Sequence, residues 1–140
     1  MDEFQLGMYF EVLVRGMLAG GRVVRKAQRD AWTDGVSGVE QKPLDKTYVT
    51  AVDRAAEAEI MSAITEYGRG LPEGLRVRGE EGSTAGTGDY QLVFDPLDGT
   101  SEFLLGGVNS TTGGGILDPE GRLIAACTVC PATGTVVLTP

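Results

Sequence analysis

The sequence predicts an α+β domain, two helices followed by a mostly antiparallel sheet, and three observations predict it. Apolar residues recur at helical spacing over two stretches in the first half of the chain. From Leu75 onward the pattern changes to short β-type runs broken by glycine and turn residues. Asp118-Pro119-Glu120-Gly121 has the composition of a hairpin turn, which joins antiparallel neighbours.

The first helix is predicted over about residues 4–29. Leu6, Phe10, Leu13, Met17 and Val24 repeat along one face, with Arg15, Arg22, Arg25, Lys26 and Arg29 on the more polar side. Gly16, Gly20 and Gly21 each cost such a helix about 1 kcal/mol relative to alanine, so they mark close packing or a local break. Residues 32–46 are rich in Gly, Asp, Ser and Pro and read as a loop, and Tyr48-Val49-Thr50-Ala51-Val52 is a β-type run. Ala56, Ile60, Ala63 and Tyr67 predict a second helix ending near Gly68, with Pro72 beyond it. Strands are predicted at residues 75–78, 91–94, 111–117, 123–129 and 135–138. The Gly-Ser-Thr-Ala-Gly-Thr-Gly stretch at 82–88 reads as a mobile loop, and no internal repeat is visible.

The 140 residues are enough for one ordinary domain. Twenty acidic residues against 12 basic ones leave a net charge of −8. That excess argues against nucleic acid and anionic membranes as partners. With no run of about 18 apolar residues and no charged-then-apolar leader, a soluble, cytoplasmic protein is expected. Cys127 and Cys130 lie three apart in an apolar run, so an extended strand points them to opposite faces and they read as structural thiols. The chain contains no histidine. Catalysis here must therefore run on carboxylates, hydroxyls and oxygen-loving metals rather than on Ser-His or Cys-His systems.

The most informative run is Phe94-Asp95-Pro96-Leu97-Asp98-Gly99-Thr100-Ser101-Glu102-Phe103. Pro96 pushes Asp95 toward an extended conformation, and Gly99 lets the chain turn before Thr100 and Ser101 open a helix. The amides of Gly99, Thr100 and Ser101 would sit at the positive end of that helix, where an anion such as phosphate is stabilised. The same composition also makes an ordinary surface turn. What favours a site is the apolar run Leu92-Val93-Phe94 leading straight into Asp95, because a buried carboxylate without a partner is costly and a cation is its natural partner.

Two further acidic features stand where β-type runs end: Asp53 after residues 48–52, and Glu80-Glu81 after residues 75–78. Singly, Asp53 reads as a helix cap and the glutamates as a solvated loop. Together, Val49-Thr50-Ala51-Val52-Asp53, Gly79-Glu80-Glu81 and Asp95-Pro96-Leu97-Asp98-Gly99-Thr100, in that order, resemble the inositol monophosphatase family. That family lies within the lithium-sensitive, magnesium-dependent phosphatases, with bisphosphate nucleotidases and fructose bisphosphatases. The resemblance covers about residues 4–138 and implies the N-terminal part of a layered α/β/α/β sugar-phosphatase fold.

The resemblance further implies that Glu80, Asp95 and the Leu97 carbonyl hold one magnesium ion, and that Asp98 shares a second with Asp95. It implies that Thr100 and Asp53 polarise the attacking water, that Gly99 and Thr100 amides cradle the phosphate, and that Lys42 corresponds to a basic residue near the site. A small phosphorylated metabolite would be the substrate, and a homodimer the assembly. Relatives are longer and carry a further metal-ligating aspartate in a C-terminal half. Residues 1–140 are thus expected to form an N-terminal metal- and phosphate-binding domain without that half. Glu102, where inositol monophosphatases typically have asparagine, and Asp45-Lys46-Thr47 lean toward a bisphosphate nucleotidase. A truncated metal-binding module without turnover is the expectation outside enzymes.

Overall fold

The computed structural model describes residues 1–42, 48–66 and 70–139. Helix α1 (Glu3–Asp34) starts where Asp2 Oδ1 accepts the Gln5 amide at 2.7 Å and stops at Gly35, whose φ of 78° is left-handed. It runs past the predicted end at Arg29, and the Lys26–Asp30 ion pair, one turn apart, supports the added turn. The stretch read as a loop is therefore partly helical, and it also contains β1 (Glu40–Gln41), paired antiparallel with β2 (Tyr48–Val49). Asp45, Lys46 and Thr47 lie outside the described residues.

Helix α2 (Ala51–Glu66) begins earlier than the β-type run 48–52 predicts, because Thr50 caps it and ends the strand at Val49. The predicted end near Gly68 lies outside the described residues. Strands β3 (Leu75–Gly79), β4 (Thr84–Ala85), β5 (Tyr90–Asp98), β6 (Thr111–Leu117), β7 (Leu123–Cys130) and β8 (Thr135–Thr139) form one sheet in the order β4-β3-β5-β6-β7-β8. Only β3 and β5 run parallel in it. The stretch 82–88 is thus not simply a loop: Thr84 and Ala85 close the free edge of β3 by pairing with Arg78 and Val77. A third, short helix α3 (Thr100–Leu104) follows β5.

Both long helices pack on the sheet, and Tyr9, Leu13, Met17, Ile60, Ile64, Leu92, Phe94 and Ile116 make the core between the layers. Gly16 and Gly20 mark close packing rather than a break. A Cβ at Gly16 would lie 2.9 Å from Ile64 Cδ1, and one at Gly20 2.6 Å from Ile60 Cδ1. The bare backbone of α1 is what lets α2 approach. A smaller cluster of Val24, Ala56, Leu97 and Phe103 anchors the turn between β5 and α3. On β7, Cys127 faces the core, where burial pushes its thiol up to about 11, while Cys130 is half-buried on the other face. Among the described residues no helix is long and apolar enough to cross a membrane.

Candidate functional site

The site is built at the end of the sheet where β3 and β5 finish and α2 and α3 begin. Thr50 Oγ1 accepts the amides of Val52 at 3.1 Å and Asp53 at 3.3 Å, and Asp53 Oδ2 accepts the Thr50 amide at 2.7 Å. This reciprocal capping box starts α2. Asp53 is therefore a helix cap, as its position suggests, yet its second oxygen faces elsewhere. Thr100 Oγ1 donates to Asp53 Oδ1 at 2.9 Å, across 47 residues of sequence, and the carboxylate is 1% exposed.

Along β5, Leu92 and Phe94 point into the core and Asp95 is half-buried. The pairing with β6 shifts between Asp95 and Asp98, a bulge that turns the chain end toward α2. Two hydrogen bonds hold that bulge, Leu97 amide to Asp95 Oδ1 at 2.9 Å and Thr112 Oγ1 to the Pro96 carbonyl at 2.9 Å, and Gly99 beyond it takes a φ of 83°. Thr100 Oγ1 also lies 3.0 Å from the Leu97 carbonyl. A hydroxyl has one proton, and the charged Asp53 oxygen is the stronger acceptor. The Leu97 carbonyl keeps lone pairs for another partner.

The Glu80–Glu81 turn is tied to β5 by the Glu80 amide, which donates to the Phe94 carbonyl at 3.0 Å. Its carboxylates meet Lys42, whose Nζ donates to Glu81 at 2.8 Å and Glu80 at 3.0 Å. Burial works against the charge of Lys42, but those two hydrogen bonds outweigh it and hold the ammonium well above the ordinary lysine range. Burial raises the Glu81 carboxyl, with Lys42 opposing. Asp95 is pushed up to about 8, first by burial, then by the hydrogen bond and charge of neighbouring Glu80, with the charge of Asp98 adding.

Of the residues singled out from sequence, the structure brings together Asp53, Thr100 and the Leu97 carbonyl as one chain of contacts, and Glu80, Asp95 and Asp98 as one crowd of like charges. Lys42 joins the second group. Asp98, Gly99 and Ser101 are exposed at its rim. Glu102 points away, toward Asn109 at 3.4 Å. Oxygen donors of this kind, held close against their own repulsion, fit a hard divalent cation, which would relieve both burial and like charge. Among the described residues no three acidic side chains lie close enough together to hold a metal ion. A cavity of about 530 Å³ lies beyond α3 among Arg25, Arg29, Val36, Phe103 and Val108 and contains none of these carboxylates.

Sequence reasoning missed Glu57. It is 3% exposed on α2, one turn after Asp53, and accepts the amides of Glu81 at 2.7 Å and Ser83 at 2.8 Å. The one signal for it was the four-residue spacing from Asp53, which puts both carboxylates on one helix face.

The inositol monophosphatase family profile matches residues 10–139. The chain is 34% identical over 98 residues to the Nus factor SuhB of Haemophilus influenzae, covering 68% of this chain and 33% of that protein. It is 32% identical over 102 residues to a fructose-1,6-bisphosphatase/inositol-1-monophosphatase of Aquifex aeolicus, covering 72% of this chain and 36% of that one. The crystal structure of the extragenic suppressor protein suhB from Bartonella henselae superposes with a TM-score of 0.74 at 21% identity, over 92% of this chain and 46% of that one. The chain thus spans about a third of the length of these curated relatives. A profile match over nearly the whole chain, joined to this shared architecture, places the protein in the inositol monophosphatase family.

Proposed function

We propose that residues 1–140 are the metal- and phosphate-binding domain of a magnesium-dependent phosphatase that hydrolyses a small phosphomonoester of the inositol monophosphate type. The observation that carries this reading is the juxtaposition of a buried acid–hydroxyl couple, Asp53 and Thr100 at 2.9 Å, with the crowded carboxylates of Glu80, Asp95 and Asp98. Bound magnesium supplies Lewis acidity, which eases loss of a proton from water and offsets charge on the phosphoryl group. Glu80, Asp95, Asp98 and the Leu97 carbonyl are the oxygens that would hold it. The Thr100 hydroxyl spends its one proton on Asp53 Oδ1, so its oxygen is free to accept from an incoming water and orient it. The amides of Gly99, Thr100 and Ser101, at the start of α3, bind the phosphate oxygens. Lys42, which donates to Glu80 and Glu81, would compete with a bound cation for the Glu80 oxygens.

Phosphate release from inositol 1-phosphate that needs magnesium and falls when lithium is added supports this reading. Faster release from 3′-phosphoadenosine 5′-phosphate would make the protein a bisphosphate nucleotidase. Magnesium binding without turnover of either compound would leave a metal-binding module, and absence of magnesium binding overturns the reading.

A further inference from the structure

The turn that carries Glu80 and Glu81 is moulded around a carboxylate whose hydrogen bonds go to backbone amides, not to the acidic crowd or the Asp53–Thr100 couple. Both oxygens of Glu57 are occupied by backbone, Oε2 by the Glu81 amide at 2.7 Å and Oε1 by the Ser83 amide at 2.8 Å. The turn also closes on itself, since the Gly79 amide donates to the Ser83 carbonyl at 2.8 Å. Gly79 fits because it lacks a side chain: a Cβ there would lie 2.7 Å from Glu57 Cδ. With amides 81 and 83 drawn inward, the side chains of Glu80 and Glu81 turn outward, toward Lys42 and Asp95.

We propose that Glu57 is a positioning residue for the cation site: it fixes the Glu80–Glu81 turn so that Glu80 is presented to Asp95, and it ties that turn to the same helix that carries Asp53. The role rests on the metal reading given above. Charge-assisted hydrogen bonds from two amides make it strong enough to hold the turn against the repulsion among Glu80, Asp95 and Asp98. A residue that only fills space would serve the fold but not the affinity for a cation.

The test compares Mn²⁺ affinity, measured by calorimetric titration, in the wild-type chain, Glu57→Gln and Gly79→Ala. Glu57→Gln keeps the volume but replaces one acceptor oxygen with an NH₂ that faces an amide N–H. Gly79→Ala keeps every carboxylate and drives a methyl group toward Glu57. Both should weaken Mn²⁺ binding by about tenfold, and amide hydrogen exchange at Glu81 and Ser83 should quicken in Glu57→Gln. Asp118→Asn is the control. Asp118 accepts the amides of Glu120 and Arg122 in the β6–β7 turn, so its loss should lower the urea midpoint and leave Mn²⁺ affinity unchanged. Wild-type affinity in both Glu57→Gln and Gly79→Ala overturns the positioning role alone. A wild-type chain that binds no Mn²⁺ overturns the metal reading, and the role with it.

Discussion

Two sets of carboxylates meet at the same end of the sheet, and their environments are opposite. Asp53 and Glu57 on α2 are 1% and 3% exposed, yet each oxygen of both accepts a hydrogen bond. Asp95, at the end of β5, receives one amide, from Leu97, and otherwise faces the charges of Glu80 and Asp98. Burial alone would make the first set the costly one. Hydrogen bonding reverses the order: the α2 pair belongs to the folded framework, whereas the crowd around Asp95 is held together by that framework against its own repulsion. The carboxylates that face like charge, rather than hydrogen-bond donors on both oxygens, are the ones the chain can offer to a ligand.

The largest expected effect comes from removing the crowded charge. Asp95→Asn should abolish magnesium binding and phosphatase activity, since it removes a proposed ligand shared by both cations. Without divalent ions the same change should stabilise the chain at high pH. The folded Asp95 carboxyl titrates at about 8 against an ordinary 3.8, so the folded state retains a proton that the unfolded state has released. That contribution to stability is full below about 4, declines as pH rises, and is gone above about 8. Urea melts in EDTA at pH 5 and pH 8 should show this decline in wild type and a flatter profile in Asp95→Asn. Unchanged magnesium affinity in Asp95→Asn would place Asp95 outside the metal site and dissolve the contrast between the two sets.

Thr100→Ala comes next, because it cuts the contact joining the α2 framework to the turn after β5. The hydroxyl lies 2.9 Å from Asp53 and 3.0 Å from the Leu97 carbonyl, but it is not itself one of the proposed metal ligands. Turnover should fall by about 100-fold with magnesium affinity within about twofold of wild type, as expected when a proton-holding group is lost and the ligands stay. Steady-state kinetics over a magnesium titration separates the two quantities.

The local chemistry of the site was legible and its cross-chain supports were not. Pro96 and Gly99 dictate a turn by their own backbone preferences, so Asp95-Pro96-Leu97-Asp98-Gly99-Thr100 announced a strand end followed by a helix start, as found. Gly16 and Gly20 were ambiguous, because a helical glycine reads alike whether it breaks the helix or admits a neighbour, and the deciding side chains, Ile60 and Ile64, come from another helix. Glu57 was missed for the same reason, since its spacing from Asp53 shows a shared helix face but not what it binds. Its partners are amides 24 and 26 residues away, and backbone amides carry no sequence signature. The strand at Thr84 and Ala85 depends on the open edge of β3 rather than on its own Gly-rich composition. Asp53 was read as cap or catalytic group, and its two oxygens divide accordingly: one accepts the Thr50 amide of the cap and the other the Thr100 hydroxyl of the proposed site.

That division of one carboxylate between two tasks yields the smallest and most discriminating prediction. Thr50 is fully buried and supplies Asp53 Oδ2 with its amide and its hydroxyl, while its own oxygen caps the amides of Val52 and Asp53. Thr50→Ala keeps the backbone donor and loses the rest. The missing cap should destabilise the chain by about 1 kcal/mol, read as a lowered urea midpoint. Asp53 Oδ1 still faces Thr100, so turnover should fall less than in Thr100→Ala. Glu57 still holds the Glu80–Glu81 turn, so magnesium affinity should stay at the wild-type value. If Thr50→Ala instead weakened magnesium binding as much as Glu57→Gln, the start of α2 and the Glu80–Glu81 turn would be one cooperative unit, and the satisfied carboxylates could no longer be treated as independent supports of the crowded ones.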